Sequence, residues 1–241
     1  MKTKSLSIAL SFFAFSTVFS QKIFTAIENQ DLEKVSTLLE KGEDINQKSK
    51  EYHLTPLYAA VGTGNYKIVE LLIKKGANVN TVLETTATPL NFAAQEGYTE
   101  IAELLLKNNA NPNFQDVNGW TSLRFAARNN QMEIVKLLVE KKATVDTKAT
   151  DLATPLASAI GKGYLNIAEY LIKNGADINN VDKDHETPLM YCAQGGNIEA
   201  VRFLLSYKPD LTVKNKDGKT ALEMAEEKGN TEIVKLLQNN K

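Results

Sequence analysis

Few side chains in this sequence are equipped for chemistry: two imidazoles, His53 and His185, one thiol, Cys192, and scattered carboxylates of which Asp116 and Asp182 sit in matching surroundings. Imidazoles and a thiol brought together would hold a metal or pair a nucleophile with its base. A second set, Trp120, Arg124 and Arg128, is of the type that concentrates binding energy where two proteins meet. What either set does depends on how the chain positions it.

The positioning is periodic. Thr-Pro-Leu and its close variants begin at Thr55, Thr88, Thr121, Thr154, Thr187 and Thr220, each 33 residues after the last. A period of that length, repeated so regularly, marks one structural unit stacked many times. Thr is a good helix N-cap and Pro is favoured at the first helical position, so a short helix is expected to begin at every Thr. A break follows, as at Gly64 or Gly97, and then a second apolar helix such as Ile68-Val69-Glu70-Leu71-Leu72-Ile73. The unit closes in segments such as Gly76-Ala77-Asn78-Val79-Asn80 and Gly175-Ala176-Asp177-Ile178-Asn179, where Gly or Asn takes the left-handed conformation that ends a helix. Helix, turn, helix and a polar hairpin finger fill each period.

This pattern resembles the ankyrin repeat, whose fingerprint is Thr-Pro-Leu-x-x-Ala, a Gly, an Ile-Val and Leu-Leu helix and a Gly-Ala-Asp-x-Asn exit. The resemblance implies an all-α solenoid of helix-turn-helix units with hairpin fingers. A degenerate first repeat precedes the six, with Ile23, Ala26, Val35, Leu38, Leu39, Gly42, Ile45 and Asn46 matching the second copy at a spacing of 34. Seven repeats result, at about 21–54, 55–87, 88–120, 121–153, 154–186, 187–219 and 220–241. Glu226 and Glu227 read as a polar cap on the seventh, and Thr220 with Glu223 as a capping box. Ser122, Asn130, Lys142 and Lys208 depart from the pattern; a non-Gly residue at the left-handed exit costs about 1–2 kcal/mol.

Residues 1–20 differ in kind. Lys2 and Lys4 lead an apolar stretch from Leu6 to Phe19 that ends in Val18-Phe19-Ser20, which reads as a signal peptide cleaved near Ser20/Gln21. The alternative is an apolar helix packed on the first repeat. At fourteen residues the stretch is too short to span a bilayer comfortably. With no Cys near the cleavage point and no Asn-x-Ser/Thr acceptor anywhere, the expectation is an exported protein, periplasmic or secreted, without a membrane anchor.

Charge argues against nucleic acid: the chain holds 28 basic and 29 acidic residues, and no face collects a Lys/Arg stripe. Without Lys2 and Lys4 the balance is 26 against 29, a net of −3.

Placed on this scaffold, the chemistry-bearing residues separate. His53 and His185 lie four repeats apart, tens of ångströms at about 8–10 Å between packed helices. Both occupy the finger position held elsewhere by Gly119 and Gly218. Cys192 falls in register with Ala60, Ala93, Ala126, Ala159 and Ala225, so it reads as a small buried residue rather than a nucleophile. Asp116 and Asp182 read as acceptors for finger backbone N–H groups. No phosphate loop or zinc spacing is present, and neither a metal nor another cofactor is expected.

What remains is a surface. Proteins of the resembled family grip a partner protein with the fingers and first helices, which line a concave groove. Residues four apart share a helix side, so Asn91 with Gln95, Arg124 with Arg128, and Met190 with Gln194 are expected to project along it, with Trp120 as an aromatic fingertip. Against this stands the possibility that Trp120 packs on the next finger and the arginines pair with nearby carboxylates. Repeats three and five share Tyr98 and Tyr164, Ala102 and Ala168, and Glu103 and Glu169, so a 66-residue period overlies the 33, which duplication of a repeat pair explains. The reading is a monomeric, non-enzymatic scaffold for protein–protein interaction. A secreted effector or hydrolytic enzyme with a site across the groove is the alternative.

Overall fold

The structure, a computed structural model, describes residues 22–50, 53–82 and 87–240. The expected signal peptide at 1–20 and the fingertip at 83–86 lie outside them. Among the described residues seven helix pairs follow one another. Their first helices are α1 (Lys22–Glu28), α3 (Pro56–Gly62), α5 (Pro89–Glu96), α7 (Ser122–Arg128), α9 (Pro155–Gly161), α11 (Pro188–Gly195) and α13 (Ala221–Glu227). Their second helices are α2 (Leu32–Glu40), α4 (Tyr66–Lys74), α6 (Thr99–Lys107), α8 (Met132–Glu140), α10 (Leu165–Lys173), α12 (Ile198–Leu205) and α14 (Thr231–Gln238). Among the described residues there is no strand.

Each first helix starts where the recurring Thr stands. The Oγ1 of Thr55, Thr88, Thr121, Thr154, Thr187 and Thr220 accepts from the backbone N–H three residues on, at 3.2–3.4 Å. That contact satisfies one of the donors a helix N-terminus leaves open. Pro56, Pro89, Pro155 and Pro188 occupy the next position, and Thr220 with Glu223 completes the expected capping box.

The helices stack in two layers, first helix on first helix and second on second. Leu57, Leu90, Leu123, Leu156 and Leu189 are buried from one layer, and Leu72, Leu105, Leu138, Leu171 and Leu204 from the other. Between them Ala60, Ala93, Ala126, Ala159, Cys192 and Ala225 are all buried, small enough for neighbouring helices to close. Burial pushes the Cys192 thiol up to about 12.

Left-handed residues recur where the chain must reverse. The exits from the second helices hold Gly42, Gly76 and Gly175 at φ 89–94°, and Asn109, Lys142 and Lys208 at φ 66°, 62° and 52°. The two lysines therefore adopt the strained conformation that the pattern imposes. In the fingers, His53, Gly119, Leu152, His185 and Gly218 all have positive φ. The histidines stand at turns, and His185 Nδ1 bonds the Lys214 carbonyl of the next finger at 2.7 Å.

Two ladders of hydrogen bonds tie the repeats together outside the core. The side-chain oxygen of Asn46, Asn80, Asn113, Asp146 or Asn179 accepts from the backbone N–H of Asn78, Asn111, Thr144, Asp177 or Asp210, respectively, at 2.8–2.9 Å. Along the fingers the N–H groups of Thr150, Lys183 and Lys216 donate to the carbonyls of Asn118, Asp151 and Asp184 at 2.9–3.1 Å. The terminal Asn of the exit pattern is thus the acceptor for the repeat that follows it.

Two substitutions probe these contacts. A Cβ at Gly119 would fall 2.8 Å from the Ala149 Cα, whereas one at Gly218 meets nothing within 4 Å. Gly218→Ala should cost about 1 kcal/mol of backbone strain. Gly119→Ala should cost about 2–3 kcal/mol, because the fingers must also separate. Asp146 carries a second oxygen that is buried and without a partner, while its counterpart Asn80 donates its amide to the Asn109 carbonyl at 2.9 Å. Asp146→Asn should stabilise the protein by about 1 kcal/mol. Urea unfolding followed by circular dichroism measures all three.

Candidate functional site: a recess between fingers and first helices

The Trp120 end of its finger is set by Asp116, whose Oδ1 accepts from the N–H groups of Asn118 and Trp120, both at 2.8 Å. Asp182 does the same for Asp184 and Glu186 at 2.9 Å, so both carboxylates act as the turn acceptors expected of them. The Trp120 ring then meets Phe125 at 5.2 Å between centroids, with the Arg124 guanidinium 4.3 Å and the Arg128 guanidinium 5.3 Å from its centre. Trp120 is half-buried, and both arginines use its face as a platform.

Arg124 does not project. Its Nη1 and Nη2 donate to the two oxygens of Asp151 at 2.8 and 2.7 Å, its Nε to Ser158 Oγ at 3.1 Å, and Nη1 also to the Ala153 carbonyl at 3.2 Å. The side chain is 5% exposed, against 43% for Asp151. A planar guanidinium suits this two-pronged carboxylate geometry. Arg124 thereby clasps the next finger and helix α9, as the carboxylate-pairing alternative holds. Its bond is the first cause keeping the Asp151 carboxyl below its ordinary range.

Asn91 and Met190 are likewise corrected. Asn91 is 2% exposed, and its Oδ1 accepts from Thr88 Oγ1 at 3.0 Å and from Ser122 Oγ of the next repeat at 2.8 Å. That bond gives Ser122 a use in place of the missing proline. Met190 is 1% exposed, with its sulfur near the Thr187 N–H at 3.4 Å. Asn91 and Arg124 each stand third after a Thr and lean into the junction with the next repeat, while Met190 at the same position is buried beside its own Thr187. Four residues exceed the 3.6 of one turn, and that rotation helps bring Gln95, Arg128 and Gln194 outward. Gln95 is half-buried, and Arg128 and Gln194 are exposed.

Beside this cluster a recess of about 420 Å³ opens between the fingers and helices α7, α9 and α11. Arg128, Asp151, Lys162, Lys183, Glu186 and Tyr191 are prominent on its walls. Tyr191 is 47% exposed and donates its hydroxyl to Asp182 Oδ2 at 2.6 Å. Burial, then that hydrogen bond and the nearby carboxylates, push its phenol pKa upward. Burial foremost, with the Asp182, Asp184 and Asp217 charges, raises the Glu186 carboxyl against the lowering effect of Asn215.

Lys162, Lys183, Glu186 and Tyr191 were not singled out from the sequence. Register offers a signal: Tyr191 stands where Phe92 and Phe125 stand, and Lys162 where Glu96 and Asn129 do.

The family description Ankyrin repeats (3 copies) matches residues 23–116, 90–182 and 174–241. The chain belongs to the ankyrin-repeat family. A stretch of 56 residues, 23% of this ankyrin-repeat chain, is 39% identical to the 2-5A-dependent ribonuclease of Homo sapiens, of which it covers 8%. That likeness is partial and lies in the repeats. Ankyrin repeats imply a protein–protein interaction scaffold and point to a non-catalytic one. No helix of the described residues is long and apolar enough to cross a membrane.

Asp151→Ala leaves the buried Arg124 charge without its carboxylate. Because water reaches Asp151, the cost should fall near about 2 kcal/mol, below that of a fully buried pair. Asp151 is depressed in the folded state, so its contribution is fully present above about pH 4 and fades as pH falls through the folded value. Thermal melts from neutral to acid pH should show the variant losing less stability than the parent below about pH 4.

Proposed function

We propose that this ankyrin-repeat chain is a non-enzymatic binding module that acts outside the cytoplasm and holds another protein in the recess between its fingers and first helices. The apolar, lysine-led residues 1–20 support export, with removal near Ser20/Gln21 and release to a periplasm or beyond. The observation that carries the binding reading is a division of labour. Asn91 and Arg124 are turned inward and bond the next repeat, and Met190 is buried, while Arg128, Gln194 and Tyr191 are left exposed on α7 and α11. Trp120 backs Arg128 there, and an arginine pre-positioned on an aromatic ring loses less freedom when it meets a partner.

A photo-crosslinking residue tests both parts. Placed at Gln194 and expressed with the full leader in the native cells, it should trap a discrete protein partner. The same residue at Glu103, exposed on second helix α6, should trap none. The captured chain should begin at Gln21 on N-terminal sequencing. Equal capture at both positions, or none at Gln194, would defeat the recess as the docking face, and an intact Met1 would defeat export by a cleaved leader.

A further inference from the structure

The charges around the recess differ in how far they are already engaged. Of the cations, Arg124 donates to Asp151, Ser158 and Ala153. Arg128 leans on Trp120, and among the described residues neither it nor Lys162 nor Lys183 forms an ion pair. Some cations elsewhere on the surface are paired, as in Lys136 with Glu133, Arg202 with Glu232 and Lys219 with Glu227. Of the acids of the recess, Asp151 is paired with a cation, and Asp182 and Glu186 have neutral hydrogen-bond donors. Both oxygens of Asp151 face Arg124, and Asp182 accepts from two backbone N–H groups and from Tyr191. Glu186 has one contact, from Asn215 at 3.4 Å.

With the Arg124–Asp151 pair set aside, the three cations Arg128, Lys162 and Lys183 outnumber the carboxylates of Asp182 and Glu186, so the walls carry a small net positive charge in a chain whose net charge is −1. Apolar surface lies within the same walls: Leu152 is 43% exposed and Tyr191 47%. Leu152 is held outward by its left-handed backbone, φ 59°, at the tip of its finger. Exposed ion pairs contribute little each, so charge alone would give weak and salt-sensitive attraction. An apolar side chain seated among the cations would supply the rest.

We propose that the recess receives an acidic segment of the partner protein, its carboxylates set against Arg128, Lys162 and Lys183 and a neighbouring apolar side chain against Leu152 and Tyr191. This assignment rests on the recess being the docking face. Because the surrounding chain is slightly acidic overall, attraction of an acidic segment is local to this patch and steers it there.

Three peptide pools, random in sequence but fixed in composition as acidic, neutral or basic with the same share of Leu, Phe and Tyr, test it on the purified protein. Enrichment should come from the acidic pool, and recovered peptides should bind with a dissociation constant that rises as salt is added. The Arg128→Glu, Lys162→Glu double variant should weaken them by about tenfold or more, with its melting temperature unchanged as the check on folding. Lys162→Gln gives a milder variant should the double one melt early. Enrichment from the neutral or basic pool, from all pools equally, or from none overturns the assignment. So does unchanged binding by the variants. Crosslinking at Gln194 is blind to the sign of charge, so a trapped partner there would keep the docking face even when the acidic assignment fails.

Discussion

No helix pair in this protein can bury its own apolar face, and every other feature follows from that dependence on neighbours. The first helices run seven or eight residues, too short to hold in water alone. They persist because Leu57, Leu90, Leu123, Leu156 and Leu189 are each closed over by the stack, with Ala or Cys192 allowing the close approach. A shift of one residue in any copy would rotate an apolar stripe out of two junctions at once. That is the physical reason the 33-residue spacing is kept while the residues between the fixed points vary.

The same dependence decides which polar residues are structural. The oxygens of Asn80, Asn113 and Asn179 stand on one repeat and serve the backbone of the next. Finger N–H groups at Thr150, Lys183 and Lys216 do likewise. These bonds couple adjacent units, so among the described residues the array is held chiefly by nearest-neighbour terms. Its exposed positions are then free to carry recognition, since changing Arg128 or Gln194 breaks no junction.

Legibility in the sequence follows from how local each cause is. Thr caps, Pro at the first helical position, and the left-handed exits depend on residues within one unit, and they could be read directly. So could His53 and His185 as turn residues, because Gly119 and Gly218 share their register. The inward turn of Asn91, Arg124 and Met190 could not. Four-residue spacing along the helix argued for exposure, but for Asn91 and Arg124 burial was decided across the junction, by Ser122 some 31 residues from Asn91 and by Ser158 some 34 residues from Arg124. Asp151 escaped for the same reason: nothing within its own finger marks it as the partner of an arginine one repeat earlier.

The location of the recess has its own cause in a broken rule. Asp116, Asp182 and Asn215 set the turns of their fingers from equivalent positions, and the finger between them carries Ala149 instead. Ala149 is buried against Gly119, a small-on-small contact that lets those two fingers close. With no acid at that position, Asp151 takes over part of the turn, accepting from the Ala153 N–H at 3.1 Å. The same carboxylate is then poised for Arg124. Engaging Arg124 there removes the one cation that stands in the junction and leaves Arg128, one turn further on, beside the open space. A single departure from the repeat thus accounts for a held arginine and for the free arginine that borders the recess.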